Sequence, residues 1–203
     1  MKTLQRISLP LLTLYALAVL AIGVVNWQAL ALVQKVAVIL TVIAACHEWE
    51  ETKFPGGFFE YMAGIMGVST EGVYTPALYA KPDVLIFLLT GLALCFPQMP
   101  FFTCSVLLLG LFEGVVHVMG IKLGKPEKPY TPGLVTAELF ALTSVVSIVL
   151  LARSGAVTGW SFLAGLAWLL PCFVVMELRV WNEVGMKPKD LIQTYRKVLS
   201  KKS

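Results

Sequence analysis

The chain has 203 residues, of which 58% are hydrophobic and 14% charged, with a formal net charge of +4. Soluble domains carry about 25% charge, so with a mean hydropathy of +0.80 an ordinary soluble fold is excluded. The small positive balance suits loops that face anionic lipid and calls for no nucleic acid.

The first apolar run covers residues 7–25. Lys2 and Arg6 ahead of it, and "ALA" at 29–31 behind it, imitate the ends of a signal peptide. The apolar core is longer than the ~7–15 residues of such a peptide, so it reads as an uncleaved membrane helix. A second run, 29–47, flows into the charged stretch "HEWEE" at 47–51. Residues 58–68, "FFEYMAGIMGV", are apolar but too short to cross hydrocarbon, which predicts a re-entrant or interfacial segment between the second and third crossings. The third crossing, 84–96, is short and needs Pro82 and Asp83 as its start. Runs at 101–119, 132–152 and 159–178 complete the set. Each is long enough, at about 20 residues, to span a bilayer.

The expected fold is therefore all-α: one polytopic bundle of six transmembrane helices over 1–203, with a polar cytoplasmic tail from about residue 186 that forms a surface helix. "VYTPAL" at 73–78 and "PYTPGL" at 129–134 each precede a crossing, and Thr as N-cap with Pro behind it explains both. Of the 16 Lys and Arg, only Lys35 and Arg153 fall away from the side that holds both termini. The positive-inside rule places that side in the cytoplasm. Trp27 and Trp160 mark outer helix ends, Trp49 and Trp181 inner ones, as interfacial belts require. Cys46, Cys95, Cys104 and Cys172 sit in apolar runs without paired spacing, as buried small hydrophobes and not a disulfide framework.

The chemistry lies at the inner ends of the crossings. On the second helix His47, Glu50 and Glu51 are related by i, i+3 and i, i+4 and share a face, while Glu48 turns away. On the fourth, Glu113 and His117 are again i and i+4, and these are the chain's two histidines. Glu138, early in the fifth crossing, and Glu177, at the end of the sixth, fall at the same depth. A charge in the membrane costs roughly 2.5–3.5 kcal/mol on insertion scales, so five such glutamates must be protonated, paired or bound to metal. Two histidines and several carboxylates from four helices form the ligand set of a dinuclear iron or manganese site, with His47, Glu50, Glu51, Glu113, His117, Glu138 and Glu177 as candidate ligands. One zinc on His47, His117 and a carboxylate is the alternative, leaving Glu50 as general base. Tyr130 is a loop anchor over the site and a candidate catalytic phenol.

"HEWEE" (47–51), "EGVVH" (113–117) and "YTPG" (130–133), in this order in a small apolar chain, resemble the HXXEE family of integral membrane proteins. The resemblance implicates His47, Glu50, Glu51, His117, Tyr130, Pro132 and Gly133. Glu113 stands where that family's pattern has Asn. The family supplies no reaction.

Three classes of function follow from the residues. The favoured one is a membrane metalloenzyme acting on a lipid or other apolar substrate from the inner leaflet, by oxidation at a dinuclear centre before zinc-assisted hydrolysis. A proton- or cation-coupled transporter would need a polar path through the outer half, where there is no acidic residue. A non-catalytic scaffold has no use for two spaced His/Glu motifs.

Overall fold

A computed structural model describes residues 2–200, and the basic tail residues Lys201 and Lys202 lie outside them. It is helical throughout, with no strand among the described residues. In chain order the helices are α1 (Lys2–Val25), α2 (Leu32–Thr52), α3 (Phe58–Met66), α4 (Thr75–Cys95), α5 (Phe101–Gly124), α6 (Leu134–Arg153), α7 (Gly159–Glu183) and α8 (Pro188–Ser200). Six of them (α1, α2, α4, α5, α6 and α7) are long and apolar enough to cross a membrane. The chain is built as a multi-pass membrane protein. The short α3 fills the place expected for an interfacial segment, and α8 is the tail helix.

The bundle has an inside and an outside. In α2, 56% of the apolar window is buried, against 17% in α7. Helix α2 packs against α1, α3, α4, α5 and α6, so its polar residues meet other helices and not lipid. Close approach of α5 to α6 depends on Gly110 and Gly114. A Cβ at Gly110 would lie 2.4 Å from Phe140, and one at Gly114 would lie 2.8 Å from the Ala141 Cβ. This small-xxx-small spacing lets two backbones come together where no hydrophobic force between helices operates. It sets the distance at which Glu113 and His117, on the same stretch of α5, face their neighbours.

Several expectations are corrected. The third crossing starts at Thr75, with Pro76 in its first turn, and not at Pro82. Pro82 and Asp83 therefore lie inside a helix, and Asp83 is buried. Thr131 does not cap α6, whose N-cap is Gly133. Cys46 and Cys95 face outward and are not buried; all four cysteines are free. Trp181 is buried, and the half-buried Trp49 of α2 donates to Thr13 Oγ1 of α1 at 2.8 Å.

Candidate metal centre

Helix α2 runs unbroken through "HEWEE", so the expected face exists: His47 and Glu51 stand one turn apart, 3.4 Å from Nε2 to Oε1. From α5, His117 Nε2 reaches the same Glu51 Oε1 at 3.0 Å, and Glu113 Oε2 lies 3.8 Å from His47 Nε2. One ligand atom from each of His47, Glu51, Glu113 and His117 lies within 4.8 Å of all the others. His47, Glu51 and His117 are at most 4% exposed. Glu113 is the more open member, with 17% of its side chain accessible.

Both imidazoles are aimed from behind. His47 Nδ1 is 3.1 Å from Thr136 Oγ1, and His117 Nδ1 is 3.0 Å from Thr131 Oγ1. The Thr136 hydroxyl gives its proton to Glu50 Oε2 at 2.6 Å, so it accepts from His47 Nδ1–H. That fixes the tautomer and leaves the His47 Nε2 lone pair directed at the group. Such outer partners commonly hold metal-binding histidines in register. Phe58 of α3 stacks on the His117 ring with centroids 4.6 Å apart, closing its open face with apolar surface. Gly133 closes the group from the α5–α6 loop. Its φ is +93°, and a Cβ there would lie 2.6 Å from His117 Cε1 and 2.7 Å from Glu51 Cγ. Here only glycine satisfies both the backbone and the space.

Glu50 is engaged elsewhere. It accepts from Tyr130 Oη at 2.7 Å, Val135 N at 3.2 Å, Thr136 N at 2.8 Å and Thr136 Oγ1. It thus satisfies the free N–H groups of the first turn of α6 and lies at the positive end of that helix dipole. A carboxylate from α2 does what the side chain of Gly133 cannot. Tyr130 anchors the loop on Glu50; its phenol is pushed up to about 12, first by burial and then by that carboxylate.

Among the candidate ligands, then, the fold brings His47, Glu51, Glu113 and His117 together, and Glu50, Glu138 and Glu177 lie outside that group. Glu138 is exposed, and Glu177 Oε2 accepts from Trp181 Nε1 at 2.7 Å. Sequence reasoning missed Thr131 and Thr136. Thr131 lies inside the "YTPG" motif and Thr136 three residues beyond it, but nothing in their spacing announces a histidine partner.

The donor set is two imidazole nitrogens and two carboxylates, which suits a borderline divalent ion such as zinc, iron or manganese. The residues present fit such a group: the two ring nitrogens and two acids converge, the histidines are oriented, and three of the four side chains are buried. No family model, curated protein or solved structure matches the chain.

Proposed function

We propose that this chain is a membrane metalloenzyme whose His47, Glu51, Glu113 and His117 hold a divalent metal near the cytoplasmic leaflet and act on a lipid or other apolar substrate. The observation that carries the reading is the convergence of two histidines and two carboxylates from separate helices within 4.8 Å, inside a bundle of membrane-spanning helices. Ionisable groups at such depth are costly and are functional by default. Iron or manganese is favoured over zinc because carboxylates equal histidines in the donor set, as in helical-bundle carboxylate centres. Bound there, the metal supplies redox or Lewis-acid chemistry.

The protein's own residues have separable roles. His47 and His117 bind through Nε2, with the Thr136 and Thr131 hydroxyls on the opposite ring nitrogens holding the two imidazoles in place. Glu51 lies between the two rings. Glu113 is the most accessible of the four ligands. Glu50 and Tyr130 position α6 and its loop, and carry no proton to the group directly. The charge distribution of the loops supports a cytoplasmic placement of this end, and the motif order supports the likeness to the HXXEE family.

Comparative lipid mass spectrometry tests the reading: membranes of cells producing the wild type are set against membranes of cells producing His117→Ala at equal protein level. A lipid consumed or formed only with the wild type is expected. Identical lipid profiles, with the wild type loaded with metal, would remove the enzymatic claim and leave a metalloprotein.

A further inference from the structure

At the end of the bundle away from the His/Glu group, α1 and α2 enclose a groove of about 630 Å3. That volume is in the ordinary range for a small-molecule site, roughly 300–1,000 Å3. Its lining is apolar or aromatic throughout: Leu20 and Val24 come from α1, Trp27 from the turn that follows, and Val38 and Ile39 from α2. Val38 is buried and forms the floor, whereas Leu20, Val24 and Ile39 are exposed, so the groove opens towards hydrocarbon. Gly23 holds α1 close over that floor, because a Cβ there would stand 2.9 Å from Val38 Cγ1.

Apolar lining alone would take any lipid tail. Lys35 makes this groove selective. Its Nζ stands 5.5 Å from the centroid of the Trp27 ring, so it borders the groove through one of the lining side chains. Lys35 also shares a face of α2 with Ile39, at i and i+4. No carboxylate offsets this ammonium. Residues 1–47, 84–112 and 139–176 contain no Asp or Glu, and no ion pair among the described residues includes Lys35. Its place is also unfavourable for a helix by itself. Lys35 is the fourth residue of α2, where the helix dipole disfavours a cation and attracts an anion. An unpaired charge at membrane depth is costly, and a fixed counter-charge removes that cost.

We propose that the groove holds one acyl chain of an anionic glycerophospholipid whose phosphate is bound by Lys35 beside Trp27. Tryptophan and lysine are the side chains that settle at headgroup level. From Lys35 to Ile43, the deepest α2 residue of the lining, the helix advances eight residues, or about 12 Å, along the path of the chain. His47 lies twelve residues from Lys35, about 18 Å further along the helix, and the proposal does not depend on the metal reading.

The full chain is reconstituted in phosphatidylcholine vesicles with a trace of phosphatidylglycerol carrying a photoreactive diazirine on its acyl chain. Labelled peptides are mapped by mass spectrometry. Label on residues 20–27 and 38–43 is expected, displaced by unlabelled phosphatidylglycerol and not by the same amount of added phosphatidylcholine. Lys35→Gln should lower it about fivefold or more, and Lys35→Arg should keep it. Arg153→Gln removes the other cation expected at this end of the bundle and should leave the label unchanged. Size-exclusion elution and thermal unfolding report on the fold, and displacement from the wild type reads the site without any variant. Equal displacement by the two lipids, or equal label in Lys35→Gln and the wild type, overturns the proposal and leaves ordinary boundary lipid. An equal fall in Arg153→Gln overturns it in favour of general surface charge. An unlabelled groove in a protein that elutes as a dimer places a second copy there and overturns it as well.

Discussion

Gly133→Ala separates the backbone requirement of the α5–α6 loop from the space requirement of the site. An L-residue in the left-handed region costs about 1–2 kcal/mol, and Gly133 has a φ of +93°. The new methyl would also sit 2.6 Å from His117 and 2.7 Å from Glu51, well inside contact distance. Relieving such an overlap typically costs about 1–3 kcal/mol and moves the groups that cause it. The groups displaced are two proposed ligands, and Phe58 behind His117 restricts the ring's retreat. Gly155→Ala is the matched control: its φ is +72° and nothing lies within 4 Å of its new Cβ. Both variants should lose stability by roughly 1 kcal/mol from the backbone alone. Gly133→Ala should lose more, and its metal affinity should fall by roughly 10–100-fold, the range for disturbed supporting residues. Mn2+ titration with parallel thermal unfolding in detergent measures both. Equal metal affinity in the two variants would refute the claim that Gly133 is glycine because His117 and Glu51 lie against it.

Three further outcomes follow from the same geometry. Thr136→Val removes the hydroxyl between His47 and Glu50 and should weaken metal binding by about 10-fold or more, whereas Thr136→Ser should bind as the wild type does; equal affinities in titration would contradict the orienting role. Glu50→Gln keeps one acceptor oxygen but loses the charge facing the start of α6, and should cost about 1.5–3 kcal/mol in thermal unfolding while retaining bound metal. The Tyr130 phenol lies at about 12, above its ordinary 10.0, so its contribution to stability is complete below pH 10 and lost as pH rises towards 12. Tyr130→Phe should therefore be less stable at pH 8, and its stability should fall less steeply over that alkaline window; parallel curves would show that the bond to Glu50 contributes nothing.

Which parts of this were legible in the sequence follows from what a helix fixes by itself. The i, i+4 spacing of His47 with Glu51 and of Glu113 with His117 puts each pair on one face whatever surrounds it, and both pairs meet in the fold. Depth was also legible, because alternating crossings deliver the end of α2, the end of α5 and the start of α6 to one side. Rotation about the helix axis was not. Helices α6 and α7 are apolar on nearly every side, so nothing in their sequences turns Glu138 or Glu177 towards α2, and Glu138 ends up exposed. Glu48 was read as turned away from the His47 face; it lies outside the four-residue group, yet it is buried at 3% exposure and not at the surface. Asp83 was hidden by Pro82: proline suggested a helix start, whereas the real start at Thr75 leaves the proline inside a continuing helix. Thr131 looked like a cap because Thr-Pro usually is one. Its hydroxyl is taken by His117 across the loop, a tertiary contact that no local pattern encodes.

The most direct test of the account is the metal content of the purified wild type measured beside His47→Ala and His117→Ala by elemental analysis. Iron or manganese at stoichiometric level in the wild type, and lost from both variants while they elute and unfold as folded proteins, is the predicted result. A folded wild type that holds no metal after reconstitution with Fe2+, Mn2+ or Zn2+, or variants that keep the full complement, would contradict it.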